Sequence, residues 1–137
     1  MRRIHIAAVA AFGLVLFAGA PTALAQETVP MRATVSFPFM VGNVLLPAGT
    51  YLVVPDDLQP AVLEIQAERG RKSVFATILD NEPSDRRGDC LFQFVNVGGR
   101  YYLTSIDDGS GDLSQITLPE PIMRLVRVAG KTPVTQK

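Results

Sequence analysis

Histidine, cysteine and tryptophan are almost missing from this sequence. Its 137 residues include one histidine, His5, one cysteine, Cys90, and no tryptophan. A Ser-His-Asp triad, a Cys-His pair and a His-ligated zinc or haem site all need a histidine, and His5 lies in a segment that we expect to be removed. A disulfide needs two cysteines, so no intrachain disulfide can form. These absences exclude the commonest catalytic and metal centres from the mature chain.

Clusters of positive charge are also missing. The 13 Lys and Arg residues balance 13 Asp and Glu residues, and the two signs are interspersed along the chain. No basic run is interleaved with aromatic residues, so nucleic-acid binding has no electrostatic support.

The N-terminus has the pattern of a secretory signal peptide. A positive start at residues 1–3 precedes the apolar residues 4–20, and Ala23-Leu24-Ala25 supplies the small residues of a cleavage site. An uncleaved membrane anchor is the alternative, but the apolar run is slightly short for one. We therefore predict cleavage after Ala25, export to the periplasm or the medium, and no stable membrane span afterwards.

The remainder is predicted to be one domain. Removal of residues 1–25 from a chain of 137 leaves 112 residues, 26–137, which is the size of a single domain. Of the 13 basic residues 11 remain against 13 acidic ones, a net charge of −2. Residues 26–32 and 129–137 are expected to be loose.

Short alternating segments dominate this domain. In residues 33–41 the side chains of Val35, Phe37, Phe39 and Val41 share one face, while Pro38 indicates an edge strand or a bulge. Turns are predicted at Gly42-Asn43 and at residues 46–49, and Gly98-Gly99 predicts a two-residue hairpin. Further strands are predicted at residues 44–46, 50–54, 61–67, 73–79, 90–97, 100–106 and 113–118, with polar loops at 80–89 and 107–112.

For two segments the sequence allows either a helix or a strand. Residues 61–69 are rich in helix-forming side chains, but Pro60 and Gly70 bracket only nine residues, which favours a strand. In residues 119–128, alternation favours a strand, whereas Thr117 and Glu120 could form a capping box that opens a short helix. We predict a strand there as well. The sum is an all-β fold of about seven or eight strands, a small antiparallel barrel or sandwich.

Few residues are candidates for a site. Asp107, Asp108 and Asp112 could offer oxygen ligands to calcium, but their spacing does not match an EF-hand, and a solvated hairpin loop is the favoured explanation. Asp56-Asp57 and Asp85-Arg86-Arg87 are expected to be solvated.

Cys90 and the aromatic side chains are assigned to the core. Cys90 starts a strand on the face of Phe92 and Phe94, which predicts a buried, inert thiol rather than a reactive one. The aromatic residues could line an apolar or sugar-binding pocket, but their periodicity favours packing; they are Phe37, Phe39, Tyr51, Phe75, Phe92, Phe94, Tyr101 and Tyr102.

One stretch carries a resemblance. Residues 37–53, F-P-F-M-V-G-N-V-L-L-P-A-G-T-Y-L-V, resemble the opening motif of an uncharacterised family of small exported β-rich bacterial proteins, and residues 91–103 are similar to a strand pair that the family carries later. That later segment often holds a histidine in the family, which is missing here, while Arg100 keeps a basic residue near the turn. The resemblance implies an exported β domain and no catalytic or binding residue.

The sequence therefore predicts an exported, non-catalytic binding or structural module of the cell envelope, with no cofactor. Its partner would be another envelope protein, bound through a sheet face or an exposed edge strand. The alternative is a small barrel that carries an apolar ligand or lipid in its interior, and an enzyme that uses only carboxylates ranks third.

The signal peptide can be tested by mass. Intact-mass spectrometry of the exported protein is expected to give a chain that begins at Gln26, because signal peptidase requires small residues such as Ala23 and Ala25. A mass that retains residues 1–25 would contradict the prediction.

Overall fold

The computed structural model describes residues 30–129 and 133–136, so the predicted signal peptide lies outside the described residues. The described chain forms ten strands and one helix: β1 Met31–Val35, β2 Phe39–Val41, β3 Val44–Leu46, β4 Gly49–Pro55, β5 Val62–Ala67, β6 Ser73–Pro83, β7 Leu91–Val97, β8 Arg100–Asp107, β9 Asp112–Ile116, α1 Glu120–Ala129 and β10 Pro133–Gln136. The all-β prediction is confirmed.

The strands form one open sheet that folds over into two layers. The first layer has the order β1-β4-β5-β6, and the second has β6-β9-β8-β7-β10, with β2-β3 beside the start of β8. Strand β6 belongs to both layers, and its register shifts between Ile78 and Asp80 where it passes from one to the other. A bulge at that point lets a strand bend around the corner of a sandwich. The sheet is not closed into a barrel.

The predicted first strand is divided in two. Residues 36–38 break it, so that β1 pairs with β4 in the first layer and β2 pairs with β3 and β8 in the second. Pro38 has no N–H to donate to a ladder, which explains why the strand ends there. The pairing of β2 with β8 is parallel, an exception to the predicted antiparallel arrangement.

Most predicted turns and strands are present. Gly42-Asn43 connects β2 to β3, and Gly98 and Gly99 have φ angles of 60° and 81°, as a type I′ hairpin requires. Residues 62–67 form a strand rather than a helix. Several boundaries differ. β1 begins at Met31, within the residues 26–32 that were expected to be loose. β6 continues to Pro83 into the predicted loop, and residues 133–136 form β10 instead of a loose tail.

The prediction of a strand at residues 119–128 is wrong. This segment is the helix α1, with the Met123 N–H donating to the Pro119 carbonyl at 2.9 Å. Pro121 is tolerated because the first-turn N–H groups of a helix have no internal partner. Ile122 and Val126, four residues apart, pack together against Met40, Val95 and Tyr102 on the outer surface of the second layer, a spacing that suits a helix.

Phe39 lies at the centre of the space between the layers. Its ring lies 5.2 Å from that of Tyr51 in the first layer and 5.3 Å from that of Phe94 in the second, centroid to centroid. Both contacts are edge-on, the arrangement that aromatic rings favour. The surrounding core is aliphatic, with Val35, Leu46, Val53, Ile65, Leu103 and Ile106 almost completely buried. The interior is therefore filled by side chains.

Truncation of this ring tests the packing. We expect Phe39→Ala to lower the free energy of unfolding by about 3–5 kcal/mol, because a fully buried phenylalanine leaves a cavity when it is shortened. Phe75→Ala is the matched control, since the Phe75 side chain is 62% exposed, and it should cost less than about 1 kcal/mol. Equal losses of unfolding free energy in the two variants, measured by urea denaturation, would contradict this description of the core.

Candidate functional site

The predicted acidic loop contains a buried carboxylate. Asp107, at the end of β8, is only 2% exposed. Its Oδ2 accepts a hydrogen bond from the Ser84 hydroxyl at 2.6 Å, and its Oδ1 accepts one from the Gly109 N–H at 2.8 Å. The Arg86 Nη1 lies 3.4 Å from Oδ1, and because buried charges need such partners, Asp107 is structural. The prediction that Arg86 is merely solvated is wrong.

Asp108 organises the loop itself. Its Oδ1 accepts the backbone N–H groups of Ser110, Gly111 and Asp112 at 2.7–3.1 Å, and its Oδ2 accepts the Ser110 hydroxyl. Partial burial acts to raise the pKa of Asp108, but these hydrogen bonds together outweigh it and hold the pKa below its ordinary value.

The calcium hypothesis gains no support from this geometry. The side chains of Asp107 and Asp108 already accept hydrogen bonds from the protein, and Asp112 is exposed at the start of β9. Across residues 30–129 and 133–136, no three His, Cys, Asp or Glu side chains are grouped so that they could hold a metal ion.

Two loops are joined at this point into what we call the clasp, residues 84–89 and 107–111. The Ser84 N–H donates to the Gly111 carbonyl at 2.7 Å, and the Gly88 N–H donates to the Gly109 carbonyl at 3.0 Å. A Cβ atom on Gly109 would overlap the Gly88 carbonyl oxygen. The backbones therefore approach so closely that only glycine fits.

Substitution of Gly109 tests the clasp. Gly109 has φ +72°, and Gly42, at φ +58°, has nothing within 4 Å of its Cβ position. Gly42→Ala should therefore lower the free energy of unfolding by only about 1–2 kcal/mol, the cost of placing alanine in a left-handed backbone conformation. Gly109→Ala should lower the free energy of unfolding by about 3 kcal/mol or more, because the overlap adds to that cost. Similar losses for the two variants in urea denaturation would contradict the close approach.

The other sequence candidates are placed in structural roles. Asp56 accepts the N–H groups of Leu58 and Gln59 at 2.8 and 2.9 Å, which closes a turn. Cys90 is buried in the core, as predicted, and burial raises the pKa of its thiol to about 12, with the nearby charges of Asp108 and Asp107 adding to the effect. A thiol with so high a pKa is a poor nucleophile at neutral pH.

The aromatic residues are core, with one exception. Phe39, Tyr51, Phe92, Phe94 and Tyr102 are buried, and Phe37 and Tyr101 are partly buried against the core with their rings 4.1 Å apart. Phe75 instead faces solvent. The assignment of Phe75 to the core, which rested on the periodicity of the aromatic residues, is therefore wrong. The alternation of buried Val74 and Ala76 with polar Ser73 and Thr77 is the signal that could have placed it outside.

Phe75 stands on the outer surface of the first layer, which no element within residues 30–129 and 133–136 covers. Cross-strand pairing places Glu64 between Val54 and Phe75, and Val62 beside Thr77. We call the surface formed by Leu52, Val54, Val62, Glu64, Phe75 and Thr77 the Phe75 face. Its aliphatic members are half-buried, and Glu64 makes no ion pair with another described residue. The helix α1 covers part of the opposite outer surface, so the two outer surfaces are unlike.

Surface depressions are small and open. One depression, about 450 Å³, is lined by Pro47, Gly49, Tyr51 and Arg69 among others, so the P-A-G-T-Y stretch forms its wall. The Tyr51 hydroxyl donates to the Pro47 carbonyl at 2.5 Å and so holds that wall to the core. Another, about 230 Å³, lies between Phe75 on one side and the Gly42-Asn43 turn and residues 116–119 on the other.

Comparison with models of protein families, with characterised proteins and with solved structures returns no significant match. The resemblance of residues 37–53 to an exported family stays a prediction. No helix within residues 30–129 and 133–136 is long and apolar enough to cross a membrane.

Proposed function

We propose that this protein is an exported, non-catalytic binding module of the bacterial cell envelope, and that it recognises a partner protein through the Phe75 face. The observation that carries the proposal is Phe75 itself, a phenylalanine 62% exposed on a sheet surface that no other described element covers. Exposed aromatic residues on an apolar surface mark protein–protein contacts, and aromatic side chains are common anchors in them.

The interior supports a surface module over a carrier. The side chains of Phe39, Tyr51, Phe92 and Phe94 occupy the centre of the sandwich. A ligand-carrying barrel keeps such positions open and closes its sheet around the ligand, whereas this sheet is open. Recognition by an outer surface needs neither an open interior nor a closed sheet.

The chemistry of the face indicates the kind of partner. Glu64 lies directly opposite Phe75 across the β5–β6 pair, among the aliphatic side chains of Leu52, Val54 and Val62. A complementary partner would offer an apolar pocket for the Phe75 ring and a Lys or Arg side chain to pair with Glu64. The proposed partner is therefore an envelope protein with a basic, apolar surface.

Site-specific photocrosslinking in the native cell tests the proposal. A photoreactive phenylalanine analogue at position 75 is expected to form a crosslinked species of defined mass with one partner. The same analogue at position 58 is the matched control, because Leu58 is apolar and 91% exposed but lies in the loop between β4 and β5. No crosslink at position 75, or the same crosslinks at both positions, would overturn the proposal.

The charge of the face provides a second readout. Glu64→Lys, combined with the analogue at position 75, should lower the crosslink yield at least several-fold, because like charges across an interface repel. Asp57→Lys makes the same charge change in an exposed loop and should leave the yield unaltered. Equal effects of the two substitutions would argue against a basic partner.

A further inference from the structure

The outer surface of the second layer has a polar half that α1 leaves uncovered. Gln115 of β9, Ser105 of β8, Gln93 of β7 and Thr135 of β10 are successive cross-strand partners, so their side chains form one row across four strands. Val95 and Tyr102, on the same surface, lie under the helix instead. Packing against α1 therefore explains the apolar half and does not explain the polar row.

A bulge in β8 concentrates hydroxyl groups in this row. Gln93 pairs with Ser105 and Phe94 pairs with Leu103, which leaves Thr104 without a cross-strand partner. The Thr104 hydroxyl donates to the Gln93 carbonyl at 3.0 Å, and Thr104 and Ser105 line the same depression. Neighbouring residues of a regular strand point to opposite faces, so the bulge is what brings both hydroxyls to one side.

Hydrogen bonds hold the two amides in fixed orientations. Ser105, 5% exposed, donates from its hydroxyl to Gln93 Oε1 at 2.8 Å, which turns the Gln93 Nε2 donors away from that bond. Gln115 Nε2 donates to the Glu82 carboxylate, which leaves Gln115 Oε1 as an acceptor. Neither Gln93 Nε2 nor Gln115 Oε1 bonds to another described residue. An oriented donor and an oriented acceptor thus flank Ser105.

The depression between these groups has a volume of about 200 Å³ and opens to solvent. That volume is below the range of about 300–1,000 Å³ typical of pockets for drug-sized ligands, so it suits a small polar unit. Asp80 and Glu82 stand at the β6 end of the row, and among the described residues no Lys or Arg lines the depression. Anionic ligands are therefore disfavoured. Phe94, Val95 and Leu113 also line the depression, so its lining is mixed, which suits a ligand that has both polar groups and apolar surface.

We propose that this row is a binding site for a neutral saccharide. Each sugar hydroxyl is both a donor and an acceptor. The depression presents an amide donor, an amide acceptor, the Glu82 carboxylate as an acceptor, and the oxygens of two hydroxyls whose hydrogens are donated to Gln93. The site is separate from the Phe75 face, which lies on the other layer, so the two proposals stand or fall independently.

Side-chain amide resonances report directly on the site. The purified, ¹⁵N-labelled protein is titrated with glucose, galactose, mannose and N-acetylglucosamine, each up to roughly 10 mM, which is about tenfold above a Kd of 1 mM. At least one sugar should shift the NH₂ resonances of Gln93 and Gln115 along a saturable curve. The NH₂ resonance of Gln66, on β5 in the first layer, is the internal control and should not move.

Two variants complete the test. Gln93→Ala should weaken sugar binding about tenfold or more, because it removes the oriented donor. Gln66→Ala should leave the affinity unchanged. Unaltered resonances away from the substituted residue verify that each variant is folded. If Gln93→Ala fails to fold, the wild-type titration still decides the matter. Unmoved Gln93 and Gln115 resonances with all four sugars, or shifts produced only by a polar peptide used as a comparison ligand, would overturn the proposal.

Discussion

The contact of Phe39 with rings from both layers is the constraint on which the rest of the structure depends. Tyr51 comes from the first layer and Phe94 from the second, and Phe39 lies within about 5.3 Å of both. The chain reaches this position only because residues 36–38 break the first strand and carry it from one layer to the other. With no disulfide available to the chain, this burial of aromatic surface has to hold the sandwich together.

Because side chains fill the interior, we propose that recognition takes place on the outer surfaces of the fold. The clasp joins two loops through the hydrogen bond of Ser84 to Asp107 and the contact of Arg86 with Asp107, while Asp108 orders the second of these loops. What remains are two outer surfaces of opposite character, one with an exposed aromatic ring and one with oriented amides. We propose that each surface binds without any change in the core.

Local pattern predicted most of the fold and little of the candidate sites. The Gly98-Gly99 hairpin, the Gly42-Asn43 turn and the inward side of Phe92 and Phe94 follow from turn chemistry and a period of two. Helix α1 differs from the prediction because alternation in residues 119–128 favours a strand, whereas Ile122 and Val126, four residues apart, pack on one side of a helix. The clasp and the polar row join residues far apart in the chain, such as Ser84 with Asp107, and no local pattern encodes such contacts.

The central claim is that the interior is occupied by side chains and that recognition takes place on the outer surfaces. The most direct measurement is mass spectrometry of the protein purified without detergent, both intact under native conditions and after extraction with organic solvent. The account predicts the mass of the polypeptide alone and an extract free of any stoichiometric compound. A lipid or other apolar molecule bound at one per chain would contradict it.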